Sequence, residues 1–328
     1  MTARVGSERF PGKVLQEVEG YPLLWWITKR LEKGLKNSVI VVATTQNKED
    51  DDLAILSAQM GIPCYRYKDP DDVVGRISGV LENFPNAKYV VRALGDCPFM
   101  EPLILKEVVS TLDRFKADAF SWMLPPETLP VYGAREFPYS VASWSKIDKG
   151  SKGFEREHVD MWFNAHRSSF KIVYHEPPPS DYFRLYRLEV DWPEDLELVR
   201  QIAKGPGMLA SIPEINRWLD SNPDVTALNS MRHEKTGPTI NYDYRLRRSW
   251  YKAMSGHSIV GWDGQIWDPP TNSATPVFCS NEHCLVGYGH EGQLFLKDGS
   301  CIRGNSRITC QCGAGRIWKN PIRSSSKY

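Results

Sequence analysis

Residues 38–45 read Ser38-Val39-Ile40-Val41-Val42-Ala43-Thr44-Thr45, a run of β-branched side chains with no polar alternation. A strand of that kind is buried on both faces, as happens when helices cover a parallel sheet from both sides. The helix follows directly. Residues 50–60 place Leu53, Ile55, Leu56 and Met60 on or near one side, and Gly61 ends the segment as a C-cap. The alternation continues outward, with a short strand at 64–67, a helix at 73–83, a buried strand at 88–94, a helix at 103–115 and a strand at 117–122. The stretch 124–151 is rich in proline and aromatics and has no clean period, so it reads as an insertion over the sheet edge. Beyond it the pattern predicts a helix at 155–165, strands at 171–175 and 185–190, and helices at 193–204 and 212–222. Strands alternating with helices make an α/β domain built of parallel βαβ units.

From about residue 233 the character changes. Glycine, tryptophan and turn pairs such as Asp263-Gly264 and Asp298-Gly299 multiply, and helical periodicity is lost. A chain of 328 residues is also longer than the ~250–300 residues at which single cores stop growing. Two domains are therefore expected, an α/β domain at 1–230 and a small β-rich one at 231–328, with 324–328 as a disordered tail. No internal repeat is visible. Lys and Arg number 41 against 40 Asp and Glu, a net charge of +1, which argues against nucleic acid or a membrane surface as partner. Residues 1–10 are polar and the apolar run at 23–27 is too short to span a bilayer, so the expected compartment is the cytoplasm.

Of seven cysteines, five crowd between Cys279 and Cys312. Cys279-x4-Cys284 and Cys310-x-Cys312 are two pairs that would close a tetrahedral zinc site of four thiolates, with His283, His290 and Cys301 as replacement ligands. The alternative is free buried thiols, or disulfides in an exported protein. Trp250, Trp262, Trp267 and Trp318, near Arg245, Arg247 and Arg248, suit the core of a small β domain first and a stacking face for nucleic acid or glycan second.

Three stretches of the first domain carry chemistry. The opening Arg4-Val-Gly-Ser7-Glu-Arg9-Phe-Pro-Gly-Lys13 combines glycines, a serine and three cations, a composition that cradles phosphate as well as it makes a solvated basic loop. Arg92-Ala-Leu-Gly95-Asp96-Cys97-Pro98 follows a buried strand, and ligands of open α/β sheets sit beyond the strands' carboxyl ends. Asp96 there suits a Mg2+ carboxylate or a simple turn former. Asp191, in Val190-Asp191-Trp192-Pro193, ends a strand before a helix and suits a second metal carboxylate or an N-cap. Glu194, Asp195 and Glu197 read as first-turn acids that complement the helix dipole and carry no catalysis.

Taken in order, these stretches resemble the cytidylyltransferases that make CMP-sugars, CMP-Kdo synthetase among them, and most of all the spore-coat polysaccharide branch. Gly20-Tyr-Pro-Leu-Leu24, Ile40-Val-Val-Ala-Thr-Thr45, Asp72-Val-Val-Gly-Arg76, Glu155-Arg-Glu-His-Val159, Val190-Asp-Trp-Pro-Glu-Asp-Leu-Glu-Leu-Val199 and the closing 218–229 extend the match over about residues 1–230. The resemblance implies a three-layer Rossmann-like nucleotide-diphospho-sugar transferase fold and the reaction of CTP with a sugar to give a CMP-sugar and pyrophosphate. Carried over, Arg4, Ser7, Arg9 and Lys13 would bind the triphosphate and Arg76 would sit near the nucleotide. Asp96 and Asp191 would hold Mg2+, and Arg156, Glu157 and His158 would meet substrate, the last two on the sugar side. Lys13, Arg4, Asp96 and Asp191 form the implied catalytic set; His158 is a candidate base, though a helix histidine more often packs or hydrogen-bonds. Relatives of this kind are often homodimers, with 124–151 as the candidate surface. Two other readings stand beside this one: the same fold with another nucleotide, and a binding or scaffold protein that has lost catalysis.

Three departures accompany the resemblance. Phe10 replaces a leucine, and Trp192 replaces a small residue beside Asp191, where it would reshape the sugar pocket. Only Met1-Thr2-Ala3 precede Arg4, where the family has a buried strand, so the expectation is a missing central strand or a start further upstream.

Overall fold

The computed structural model describes residues 1–122, 138–176, 180–182, 184, 186–232, 254–261, 265–278, 285–291, 293–296, 298, 300–303, 306–309 and 315–318. The chain divides into two compact units, Met1–Phe120 with Leu129–Lys171 and Pro179–Thr239, and Ser121–Thr128 with Ile172–Pro178 and Ile240–Tyr328.

In the first unit a two-residue hairpin, β1 (Glu17–Val18) and β2 (Tyr21–Pro22), leads into α1 (Leu23–Gly34). The predicted alternation follows: β3 (Val42–Thr45), α2 (Asp51–Gln59), β4 (Cys64–Tyr67), α3 (Val73–Glu82), β5 (Tyr89–Val91), α4 (Pro102–Phe115) and β6 (Ala119–Trp122). β3 and β4 are parallel, Val42 opposite Cys64. The expected gap at the sheet centre is filled by the first three residues. Thr2 forms parallel bridges with Ala43 on β3 and with Leu94, three residues past the end of β5. Ala43 N donates to Met1 O at 2.8 Å, Thr2 N to Ala93 O at 2.8 Å and Gly95 N to Thr2 O at 2.9 Å. The segment's backbone groups are thus paired on both edges. Its next residue is Arg4, and the loop from Arg4 to Lys13 thus begins beside the turn that carries Asp96.

The stretch 124–151 is not an aperiodic insertion throughout. It contains β7 (Pro138–Ser140), antiparallel to both β5 and β6, and α5 (Val141–Gly150). Ser140 caps α5 by accepting a hydrogen bond from Ser143 N, and Trp144 and Ile147 face the core. With two large apolar residues among small and charged ones, the period is too sparse to register. Residues 123–137 lie outside the described residues.

Two further expectations need correcting. The helix expected at 155–165 is split into α6 (Phe154–Glu157) and α7 (Val159–Ala165) by His158, whose φ of −100° and ψ of 72° are not helical. No strand forms among the described residues of 185–190. Val190 N makes a backbone bond to Asp96 O at 2.8 Å, while the Arg187 side chain turns inward. α8 (Pro193–Lys204), α9 (Ile212–Asp220) and the short α10 (Pro223–Thr226) complete the unit. The main core joins α1 (Leu23, Ile27, Leu31), Leu105 of α4, Val199 and Ile202 of α8, and Ile215 and Leu219 of α9. α1 and α4 approach so closely that a Cβ on Gly34 would run into the backbone of Pro102.

In the second unit β8 (Ile172–His175) pairs in parallel with β9 (Ile259–Val260), which pairs antiparallel with β10 (Ile266–Trp267). β11 (Thr275–Phe278), β12 (Leu285–His290), β13 (Gln293–Leu296) and β14 (Cys301–Arg303) form an antiparallel meander, and β15 (Ser306–Thr309) and β16 (Gly315–Trp318) form a hairpin. The unit is β-rich, as expected. Trp267 is buried, the core role read for the tryptophans. The candidate zinc ligands Cys279, Cys284, Cys310, Cys312 and His283 lie outside the described residues, as do Trp250, Trp262, Arg245, Arg247, Arg248 and the tail 324–328. Among the described residues no three His, Cys, Asp or Glu side chains converge, and no helix is long and apolar enough to cross a membrane.

Candidate active site

The loop from Arg4, the turn after Leu94, the start of α3 and the α6–α7 break enclose a cleft of about 330 Å³ in the first unit. Nine of the ten residues singled out in this domain line it: Arg4, Ser7, Arg9, Lys13, Arg76, Asp96, Glu157, His158 and Asp191.

Lys13 is its electrostatic centre. Gly12 takes a positive φ of 72°, which a side chain would disfavour, and turns the chain so that Lys13 enters the interior, 7% exposed. Its Nζ donates to Asp96 Oδ2 at 2.8 Å and to Asp191 Oδ1 at 2.9 Å. Two acids remote in sequence thus grip one positive charge, well inside the ~10 Å beyond which they could not share one ion's ligands and waters. Burial works against the Lys13 ammonium, but Asp96 and Asp191 outweigh it and hold its pKa above the ordinary lysine value. Asp191 shows the converse. Burial pushes its carboxyl up, yet Lys13, Arg9 and Arg187 together bring it below the ordinary value. Arg9 reaches Asp191 Oδ1 at 3.1 Å and lies 5.9 Å from the Trp192 ring centre, so Trp192 backs this loop arginine.

The cationic wall continues with Arg4, 3.5 Å from Asp71, and Arg76. Arg76 is 2% exposed; its Nη2 donates to Pro70 O at 2.6 Å, while its Nε is buried without a partner. Burial and the neighbouring Arg4 lower its pKa. Ser7 sits in a tight turn, with its own N–H and that of Gly12 both donated to Val5 O. At the α6–α7 break, the exposed His158 ring lies 4.1 Å from that of the exposed Phe154.

Arg156 is placed differently. It does not line the cleft, and its guanidinium binds Asp72 with Nε at 2.8 Å and Nη2 at 3.1 Å, and Asp148 Oδ1 at 2.9 Å. Asp72 also caps α3, accepting from Gly75 N at 2.7 Å. Arg156 thus ties the element bearing Glu157 to the helix bearing Arg76.

The structure adds residues that sequence reasoning passed over. Arg92 lines the cleft with its Nη1 3.8 Å from Asp160. Asp50, fully buried, accepts from Val5 N at 2.6 Å, from Thr45 N at 3.2 Å and from the Thr45 hydroxyl, and so pins the Arg4–Lys13 loop to the end of β3. As one of four consecutive acids from Glu49 to Asp52, it carries no signal that would separate it from helix-dipole acids.

Comparison with known proteins decides the family. A cytidylyltransferase family profile matches residues 1–211. The chain belongs to the cytidylyltransferase family. It is a nucleotidyltransferase, and its first unit has the Rossmann-like α/β fold that the resemblance implies. The spore coat polysaccharide biosynthesis protein SpsF of Bacillus subtilis is 25% identical over 229 residues, 68% of this chain and 93% of that protein. A 3-deoxy-manno-octulosonate cytidylyltransferase of Leptospira biflexa is 26% identical over 245 residues, 63% of this chain and 96% of that one. An uncharacterised protein of Methanocaldococcus jannaschii is 28% identical over 242 residues, 71% and 94% of the two chains. A solved cytidylyltransferase from Leptospira borgpetersenii covers 69% of this chain and 94% of its own with a TM-score of 0.62; at 23% identity it speaks for the fold.

Proposed function

We propose that this cytidylyltransferase joins CTP to an acidic sugar, giving a CMP-sugar and pyrophosphate for surface polysaccharide or glycan synthesis. The observation that carries the reading is the convergence of Asp96 and Asp191 on Lys13, beside the cations Arg4, Arg9 and Arg76. Nucleotidyl transfer requires a sugar hydroxyl oxygen to bond to the α-phosphorus as the bond to the β-phosphate oxygen breaks and pyrophosphate departs. The demand is chiefly for neutralised phosphate charge and in-line placement. Lys13, Arg4 and Arg9 meet the triphosphate from the loop, and Ser7 and the turn's N–H groups add neutral donors. Arg76, with an unpartnered buried Nε, turns toward the nucleotide. Glu157 and His158 bound the sugar side, and Arg92 supplies a cation to a sugar carboxylate. The acidic sugar is suggested by that arginine and by the substrate in the Leptospira biflexa relative's name; the biosynthetic setting is suggested by the name of SpsF.

The donor set fits Mg2+. Two carboxylates already share one cation, and magnesium takes one or two such ligands with water and phosphate oxygens. Asp96 and Asp191 would hold it, and when bound it would neutralise phosphate charge. The cytoplasm, where CTP is made, is the compartment this reaction calls for, and a homodimer is the assembly we propose.

The test is pyrophosphate release from each nucleoside triphosphate with Mg2+ and a panel of acidic sugars. CTP should be preferred, and Asp96→Ala should lower turnover on the order of 10²–10³-fold or more while leaving the fold intact. Turnover within tenfold of the parent would refute the role of Asp96. A preference for another triphosphate would reassign the nucleotide, and silence with all of them would leave the scaffold reading.

A further inference from the structure

Asp191 is held from behind by three residues that do not line the cleft. Arg187 is 1% exposed; its Nη2 donates to Asp191 Oδ2 at 2.8 Å and its Nε to Asp195 Oδ1 at 3.0 Å. Asp195, equally buried, accepts three further hydrogen bonds: from Asn229 Nδ2 at 2.9 Å, and from the backbone N–H groups of Asp191 and Trp192, each at 2.9 Å. Asn229, 2% exposed, also donates from Nδ2 to Arg187 O at 3.0 Å.

A helix-capping acid accounts for one of these bonds. At the third helical position Asp195 would ordinarily reach back to the N–H of Trp192. It would not take the N–H of Asp191, the Arg187 guanidinium and the Asn229 amide as well. Together they fix Asp191 twice over: its backbone by the bond to Asp195, its side chain by Arg187. Turning the Asp191 carboxylate away would strip a buried guanidinium of one of its partners, which is costly in a dry interior. Asp191 Oδ2 is thereby committed to Arg187, and Oδ1 faces Lys13 and Arg9.

We propose that Asp195, Arg187 and Asn229 form a positioning clamp for nucleotidyl transfer, fixing Asp191 so that Oδ1 is the oxygen offered to the reaction centre. The inference rests on the reading of Asp191 as a site residue. The partners that orient a metal-binding or charge-stabilising acid typically control ~10–100-fold in metal affinity or activity.

The test uses the full chain with Arg187→Lys, Asp195→Asn and Asn229→Ala, and Asp191→Ala alongside. kcat and KM for CTP are measured per folded molecule, Mn2+ affinity is measured by electron paramagnetic resonance, and folding is followed by circular dichroism. Arg187→Lys and Asp195→Asn should lower kcat ~10–100-fold with KM for CTP little changed, and should weaken Mn2+ binding by a comparable factor. Arg187→Met, which also removes the charge, should lose more than Arg187→Lys. A purely structural role would lower the folded fraction and leave kcat per folded molecule and Mn2+ affinity alone; that result overturns the clamp. If the charged variants do not fold, Asn229→Ala at the edge of the network decides, with a several-fold fall in kcat expected and an unchanged kcat against the proposal. An active Asp191→Ala would sink the site reading and the clamp together. An inactive Asp191→Ala with unaffected clamp variants would sink the clamp alone.

Discussion

Lys13 divides one charge between two carboxylates, and this sets how the cleft titrates. Asp191 lies below its ordinary pKa of 3.8 and Lys13 above its ordinary 10.5. An acid lowered on folding stabilises fully above its unfolded pKa and loses that contribution as pH falls through the folded one. A raised lysine stabilises fully below its unfolded pKa and loses the contribution as pH rises through the folded one. The cluster should therefore contribute fully between about pH 4 and 10 and decay outside that window. Melting temperatures taken across pH should fall more steeply in acid for the parent chain than for Lys13→Met, and equal slopes would contradict the pairing. Lys13, Asp96 and Asp191 were legible in the sequence because each falls in a stretch that matches the family pattern, the first two directly after a glycine. Asp50 and Asp195 were not. Spacing marks both as first-turn acids, and whether such a side chain turns to water or into the core depends on donors such as Val5 N, Arg187 and Asn229, brought there by distant parts of the chain.

Among the elements, α3 depends on a single aspartate. Asp72 caps its first turn and receives both arms of Arg156. Asp72→Ala should cost about 1 kcal/mol for the cap alone, and more because Arg156 is left with Asp148 as its acidic partner. Arg156→Ala should raise KM for both substrates of the proposed reaction, since it links the element bearing Glu157 to the helix bearing Arg76. An effect on one substrate only would argue against that linkage. The meeting of α1 and α4 gives a prediction of opposite sign to helix propensity. Alanine is favoured over glycine in a helix by about 1 kcal/mol. Yet Gly34→Ala should destabilise the chain by ~1–3 kcal/mol in denaturant unfolding, because its methyl meets Pro102 backbone that has no rotamer to yield. Helices with a full apolar stripe were readable from sequence. The break at His158 and the lone parallel bridges of Thr2 were not, because each is decided by a neighbouring segment instead of by local preference.

At the scale of the whole molecule, the family match ends at residue 211 and the β-rich unit has its own chemistry to test. If Cys279, Cys284, Cys310 and Cys312 close a zinc site, elemental analysis of purified full-length protein should find about one zinc per chain; less than one per two chains would end that proposal. The change of composition near residue 233 lies close to Ile240, where the longest segment of the second compact unit begins. The assignment of Ile172–Pro178 to the second unit was not visible, because pairing between β8 and β9 joins residues some 85 positions apart in the chain. The seclusion of Lys13 also bears on how the protein can be handled. Acylating reagents attack neutral, accessible amines, and an ammonium 7% exposed and kept charged by its neighbours is neither. Exposed lysines such as Lys116 should take up a dye or a surface linker first. Immobilisation through amines should then spare cytidylyl transfer, with peptide mapping finding Lys13 unmodified.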